Sequence, residues 1–303
     1  MRPALKPGLL PVWRDRDTLQ IGIDSRRAVA LTGMANAAWV ITLLDGSRDR
    51  LQVIEAAAGH GIPAETTERV LALLAAAGAL DDFPAGTLRV LPQPVRVRLA
   101  PELAAVSLAR QDGDGGARTL ARRLAAQIWV HGGGRVAASL ASLLTASGIG
   151  RVSHATAAPT ARPDLAILVG RPGMDLRADL MRRQVPHLAT SADEAIGIVG
   201  PLVLPGRSAC LRCLDLTRTD RDPAWPLILA QLVGRPLEPL ACDAPLAAAV
   251  AAHAAAQALG FIDQPAEAAA AVNGTLELVL PSWQWRRRTW PAHPDCGCDR
   301  RRG

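Results

Sequence analysis

Two short cysteine pairs stand far apart in the chain. Cys210 and Cys213 lie in Ser208-Ala209-Cys210-Leu211-Arg212-Cys213, and Cys296 and Cys298 in His293-Pro294-Asp295-Cys296-Gly297-Cys298. A Cys-x-x-Cys turn aims two sulfurs at one point, and Cys-Gly-Cys can do the same with glycine relieving the bend. Four thiolates in two close pairs are the donor set of a structural zinc ion, which takes four soft ligands tetrahedrally and leaves no open position. One ion holding both pairs would tie the C-terminal tail to the middle of the chain. Such sites contribute roughly 10–16 kcal/mol in zinc-finger peptides. A redox disulfide at either pair is the competing reading. It ranks lower, because Cys-Gly-Cys is cramped for a disulfide and one ion explains both pairs together. His293 could replace a cysteine on the metal, but four cysteines make it unnecessary. Cys242 precedes an apolar helical pattern and is expected to pack rather than react.

A second constellation is Gly132-x-Gly134-x-x-Ala137, which follows the apolar run Gln127-Ile128-Trp129-Val130 and opens a helix running through Leu144. Strand, glycine turn and helix come in the order of a Rossmann-type phosphate site, where backbone amides at a helix start approach a phosphate. The ribose-binding acid expected after the next strand is missing: Arg151-Val152-Ser153-His154-Ala155-Thr156 holds none. The next carboxylate is Asp164, and the segment between the two strands is too short for a full crossover helix. The expectation is a degenerate nucleotide fold with Gly132, Gly134 and Ala137 as its vestigial turn. Tight packing alone is the bland reading of the same glycines. No Ser-His-Asp set and no catalytically spaced carboxylate pair stands out. His253 is expected to be a polar-face or satisfied core histidine. Trp283, Trp285 and Trp290, at period two, suggest one face of a terminal strand or a partner contact, with core packing ranked first.

Further strands are expected at Pro186–Thr190, Gly197–Leu204 and Gly274–Leu280, with an alanine-rich helix over residues 244–260. The 303 residues suffice for one large or two smaller domains, and 49% hydrophobic content with only 3% aromatics implies a core of small side chains. Net charge is +6, which raises nucleic acid as a partner. Residues 1–82, however, carry nine basic and ten acidic side chains. The excess lies partly in Arg286-Arg287-Arg288 and Arg300-Arg301-Arg302, where a solvated end is the usual explanation. The N-terminus shows no charged-then-apolar signal pattern, and the longest apolar stretch, Pro245–Phe261, falls short of the ~20 residues of a membrane helix. Five cysteines, an odd number, argue against a secreted disulfide scaffold. The chain is expected to work in the cytoplasm without a membrane partner.

The front of the chain reads as short strands through residues 12–31, then three helices. Met34, Ala37, Ile41 and Leu44 follow helical spacing. Asp49–Ala58 is expected to turn Leu51 and Ile54 inward, and Ala64–Ala77 to bury Val70, Leu71 and Leu74. Strands plus three helices suggest a winged-helix-like module over residues 1–85. Residues 86–125, broken by prolines and Asp112-Gly113-Asp114-Gly115-Gly116, read as a linker, and residues 126–303 as the α/β body. DNA binding is disfavoured, because the candidate recognition helix opens with Glu65 and Glu68 and the module has no basic excess.

The pattern Thr18-Leu19-Gln20-Ile21-Gly22, Trp39, Leu43-Leu44-Asp45-Gly46 and Leu74 through Asp82 resembles the PqqD-like recognition element of ribosomal peptide biosynthesis. That resemblance implies strand addition of a precursor leader peptide between the third strand and third helix, against Arg27, Val29, Leu31, Val70 and Leu74. Residues 127–303 resemble the ThiF-like domain of ubiquitin-activating-type enzymes, and within it the partner protein of YcaO cyclodehydratases. The residues carrying this are Gly200 through Cys213, Asp220-Arg221-Asp222-Pro223 and His293 through Cys298. The resemblance implies zinc on Cys210, Cys213, Cys296 and Cys298. Active members carry an acidic pair and then Asn, Arg and Lys around ATP, where this chain has His154 through Pro159, so ATP is not expected here. The implied role is a non-catalytic adaptor presenting a precursor peptide to a separate YcaO-type cyclodehydratase. An adenylyltransferase and a zinc-containing DNA-binding regulator are the alternatives, and a homodimer stays open.

Overall fold

Leu19 and Ile21 are buried and Gln20 between them is half-exposed, the period-two pattern of a strand with one wet face. In the computed structural model, which describes residues 1–83, 91–232, 241–264 and 270–298, they form β3 (Leu19–Ile21). It sits between β2 (Pro11–Trp13) and β4 (Val29–Leu31) in an antiparallel sheet of order β2-β3-β4. β1 (Pro3–Leu5) pairs antiparallel with β5 (Leu80–Asp82). The chain divides into two compact units, Met1–Ala121 and Arg122–Gly303, and each is described by itself.

In the first unit three helices lie between β4 and β5: α1 (Trp39–Thr42), α2 (Arg50–Ala58) and α3 (Ala64–Ala76). Asp49 caps α2, with its side chain accepting from the Gln52 amide while Gln52 accepts from the Asp49 amide. Pro63 precedes α3, where its fixed φ suits a helix start. Val70, Leu71 and Leu74 are buried as expected. Two expectations fail. Met34, Ala37, Ile41 and Leu44 are all buried, but only Trp39–Thr42 is α-helical, the rest being turns. On α2 the inward residues are Val53 and Ala57, while Leu51 is 70% exposed. In so alanine-rich a helix the apolar stripe is ambiguous, and tertiary packing chooses the face.

The stretch expected as a linker forms α4 (Gln93–Arg110) and α5 (Ala117–Ala125) as far as it is described. Pro94 sits in the first turn of α4, where no amide partner is lost, and Pro101 is accommodated inside the helix. α4 is fastened to its own unit by a buried polar cluster. Lys6 Nζ donates to the Ser107 carbonyl at 2.7 Å and lies 3.3 Å from Asp81 Oδ1, and Ser107 Oγ donates to Asp81 Oδ2 at 2.6 Å. The Lys6 charge and the Ser107 hydroxyl facing the Asp81 carboxylate offset part of the cost of burying them, although Asp81 Oδ1 accepts no hydrogen bond among the described residues.

The second unit is built on β6 (Gln127–His131), β7 (Arg151–His154), β8 (Leu165–Val169), β9 (His187–Asp193), β10 (Ile196–Val203), β11 (Gly274–Val279) and β12 (Gln284–Thr289). They form one mixed sheet of order β12-β11-β10-β9-β8-β6-β7. The four strands from β7 to β9 are parallel and the remaining pairings antiparallel. β8 is buried throughout, as a parallel strand covered on both faces must be. α6 (Gly134–Ala146) and α10 (Ala244–Asp263) cover one face, and α7 (Met174–Arg182) and α8 (Leu211–Arg221) the other. α9 (Trp225–Leu232) follows α8. α10 has the length and composition of a membrane-crossing helix, against expectation, but nine of its residues are buried in this core. Its approach depends on Gly197, where a Cβ would come within 2.4 Å of Val250. Between β7 and β8 there is no helix, in line with the short connection. Arg123 and Asp263 close the base of the core through a two-pronged pair, Nε to Oδ1 at 2.8 Å and Nη2 to Oδ2 at 2.7 Å.

Candidate metal centre and the neighbouring pockets

Cys210 occupies the N-cap of α8 and Cys213 lies in its first turn, with the Cys213 amide donating to the Cys210 carbonyl at 3.0 Å. Helix geometry therefore points both sulfurs the same way. Gly297 has φ +68°, a conformation that favours glycine, and it folds Cys296 and Cys298 to one side. The four ligand sulfurs all lie within 4.8 Å of one another. The closest separations are 3.8 Å for Cys210–Cys213 and 3.4 Å for both Cys210–Cys296 and Cys213–Cys298. A tetrahedron with metal–sulfur bonds of about 2.3 Å has edges of about 3.8 Å, so one ion fits. No disulfide joins any two of the five cysteines in this structure.

The electrostatics agree with that donor set. The Cys210 thiol donating to Cys213 pulls the latter's pKa down to about 4, against the penalty of burial. Cys298 is pushed up to about 12, chiefly by burial and then by its neighbour Cys213, and Cys210 is also raised, first by its bond to Cys213 and then by burial. Four sulfurs this close cannot all ionise unaided; a dication would let them.

Residues around the cluster tie both halves down. Asn273 Oδ1 accepts from the Ala209 amide at 2.8 Å, and the Asn273 carbonyl accepts from the Trp290 amide at 2.9 Å. His293 Nε2 donates to Asp220 Oδ2 at 2.9 Å while its Nδ1 accepts from the Asp295 amide at 3.2 Å. His293 thus holds the tail to α8. Asp220 belonged to a motif visible in the sequence; Asn273 stood in no pattern, and only its position between the two segments identifies it. Cys242 is buried in the core beside α10. His253 stacks on Trp285 at 4.3 Å, but its Nε2 has no hydrogen-bond partner among the described residues, and burial lowers its pKa. The tryptophans do not share a strand face: Trp283 is in the turn before β12 with φ +52°, whereas Trp290 is buried and donates to Thr275 Oγ1 at 2.9 Å. Arg286–Arg288 lie on exposed β12, and Arg300–Arg302 lie outside the described residues.

At the glycine turn, Gly132 has φ +108° and a Cβ there would meet the Val169 carbonyl at 2.4 Å. Gly134 begins α6 with φ +77°, and Ala137 is fully buried beneath it. His154, at the end of β7, donates from Nε2 to the Gly132 carbonyl at 2.9 Å. The cavity at this turn measures about 30 Å³, against roughly 300–1,000 Å³ for typical ligand pockets. In the first unit, Leu31, Val70 and Leu74 are core residues, Val29 is half-exposed, and exposed Arg27 donates to the Leu108 carbonyl of α4.

No protein-family model matches the chain. No curated protein matches it either. Among solved structures, several mixed α/β proteins share its fold. A heterocyclase in complex with substrate and cofactor superposes with TM-score 0.70 at 16% identity, over 98% of this chain and 40% of that one. The heterocyclase TruD gives 0.66 at 19% identity, over 99% and 43%. E. coli MccB with ATP gives 0.65 at 14% identity, over 98% and 99%. The chain therefore spans less than half of these heterocyclases but nearly the whole of MccB, and identities this low establish the fold alone.

Proposed function

We propose that the protein is a non-catalytic adaptor in the maturation of a ribosomally made peptide, working in the cytoplasm. The first unit, read as a winged-helix-like recognition element, takes the leader of the precursor as an added strand on β4. Among the described residues β4 pairs only with β3, which leaves an edge for main-chain hydrogen bonds. Because Leu31, Val70 and Leu74 face the core, the peptide would meet the β4 backbone and Val29 while those three shape the wall behind. The second unit presents a docking body to a separate YcaO-type cyclodehydratase. Cys210, Cys213, Cys296 and Cys298 would hold zinc, whose part is to fix the tail to α8. The adaptor contributes effective concentration rather than new chemistry.

The observation that carries this reading over ATP-dependent adenylation is the glycine turn. Its cavity is about 30 Å³, His154 is bonded to the Gly132 carbonyl, and Gly132 has a sufficient reason in its approach to Val169. MccB, similar in fold over its whole length, was solved with ATP, so adenylation is the second reading. Isothermal titration of the full chain with leader peptides encoded nearby tests the first: Val29→Asp is expected to weaken a leader about tenfold, and failure to bind any leader would overturn it. ATP–pyrophosphate exchange by the isolated chain would establish the second reading instead.

A further inference from the structure

β12 stands at one end of the sheet and pairs only with β11 among the described residues. Its outer edge therefore presents a row of main-chain N–H and C=O groups. The strand reads Gln284-Trp285-Arg286-Arg287-Arg288-Thr289, and the hairpin from Gly274 to Thr289 holds three arginines against one carboxylate, Glu277. Trp285 stacks on His253 of α10, which turns Arg287 to the helix side as well. There Arg287 donates to the Ala270 and Val272 carbonyls at 2.9 and 3.2 Å and to Thr289 Oγ1 at 2.9 Å. Arg286 and Arg288 stand on the opposite face, about 6.8 Å apart along the strand. Glu277 and Thr275 of β11 are their register partners. Arg288 is held in place: its Nε lies 3.5 Å from Glu277 Oε1 and its guanidinium 5.6 Å from the Trp290 ring, with 53% of the side chain exposed. Glu277 also accepts from Thr275 Oγ1 at 2.9 Å and lies within the electrostatic reach of Arg218 on α8. Arg286 is exposed and bonds to no described residue.

We infer that the β12 edge receives an extended acidic segment of a partner protein as an added strand, with carboxylates two residues apart on Arg286 and Arg288. Strand addition supplies main-chain hydrogen bonds, and the period of two sets an acidic-x-acidic spacing opposite two guanidinium forks that suit carboxylates. The same arginines repel a second copy of β12, so the edge is selective: it rejects its own kind and accepts the opposite charge. A nucleic acid is the poorer fit. It needs exposed aromatic faces for its bases, and here Trp285 is stacked inward on His253, Trp290 is buried, and only Trp283, at the hairpin tip, is well exposed.

The test is fluorescence-anisotropy titration of the full chain with a labelled peptide, Thr-Val-Glu-Val-Glu-Val-Thr, blocked at both ends. A counterpart with Gln for Glu, one with the two Glu adjacent, and an oligothymidylate are run beside it. The alternating acidic peptide is expected to bind roughly tenfold more tightly than the Gln peptide, as two exposed ion pairs support, and more tightly than the one with adjacent Glu. Arg286→Gln and Arg288→Gln should each weaken it roughly threefold, and Arg151→Gln on β7, at the other end of the sheet, should leave it unchanged. N-methylation of one alternate set of peptide amides should abolish binding and of the other set should be tolerated, a distinction that a merely ionic patch does not make. Unchanged melting temperature shows that each variant is folded. Should Arg288→Gln fail to fold, Arg286→Gln and the peptide comparisons decide. Equal binding of the acidic and Gln peptides, equal effects of the two methylated sets, tighter binding of oligothymidylate, or no binding by any probe overturns the inference. Leader titration reports on β4 in the other unit, so either idea can fail without the other.

Discussion

The Cys213 sulfur lies 3.4 Å from that of Cys298, 85 residues further along the chain. With the matching approach of Cys210 to Cys296, also 3.4 Å, it brings the two distant pairs together, and a single ion on the four sulfurs would lock them. Purified protein is expected to hold about one zinc per chain by elemental analysis. Cys213→Ser should lose most of that zinc and melt about 10 °C or more lower, since much of the stabilisation of a structural site goes with one ligand. Full stability without metal would refute this.

Asn273 bridges the segments that carry the two cysteine pairs. Asn273→Ala leaves the Ala209 amide without its acceptor and puts alanine at φ +51°. A loss of about 1–3 kcal/mol is expected in urea denaturation, together with faster zinc release to a chelator. A variant with unchanged release would show that the bridge does not support the metal site.

The Arg123–Asp263 pair is almost wholly enclosed, with side chains 7% and 4% exposed. Breaking it on one side strands a buried charge. Arg123→Met should cost about 3–5 kcal/mol, and the double variant Arg123→Met with Asp263→Leu distinctly less. Equal costs for the single and double variants would argue against coupling.

His187 is buried and its pKa falls to about 4, chiefly by desolvation, although its Nδ1 donates to the Val185 carbonyl at 2.9 Å. An unfolded histidine binds its proton near pH 6.5. The unfolded state therefore takes up protons first, and stability falls as pH drops from about 6.5 to about 4, by up to about 3 kcal/mol. Above pH 7 the residue contributes no pH dependence. His187→Gln should flatten the stability profile between pH 7 and 5 relative to the parent; an identical slope would sink the assignment.

The cysteine site was legible from spacing because its ligands come as local pairs, and a turn or helix start fixes each pair without help from afar. The strands and helices of the α/β body were legible for a similar reason: β8 reads as one apolar run and α6 follows a glycine turn. Patterns failed where side chains are small. On α2 alanine leaves the inward face undecided, so packing buried Val53 and Ala57 and left Leu51 in water. Prolines suggested a linker over residues whose described part is largely helical, since Pro94 falls where a helix lacks amide partners.

Taken alone, the sequence determined the ligand set and the order of strand, glycine turn and helix, because both rest on chemistry within a few residues of chain. Only the tertiary structure decided that the two cysteine pairs meet, that Asn273 and His293 secure them, and that Gly132 lies against Val169 with its carbonyl bonded to His154. It also decided that the Arg218 guanidinium stands over the Trp290 ring. Each of these joins residues dozens of positions apart, and such distances follow from how the sheet stacks its helices, which no local spacing encodes.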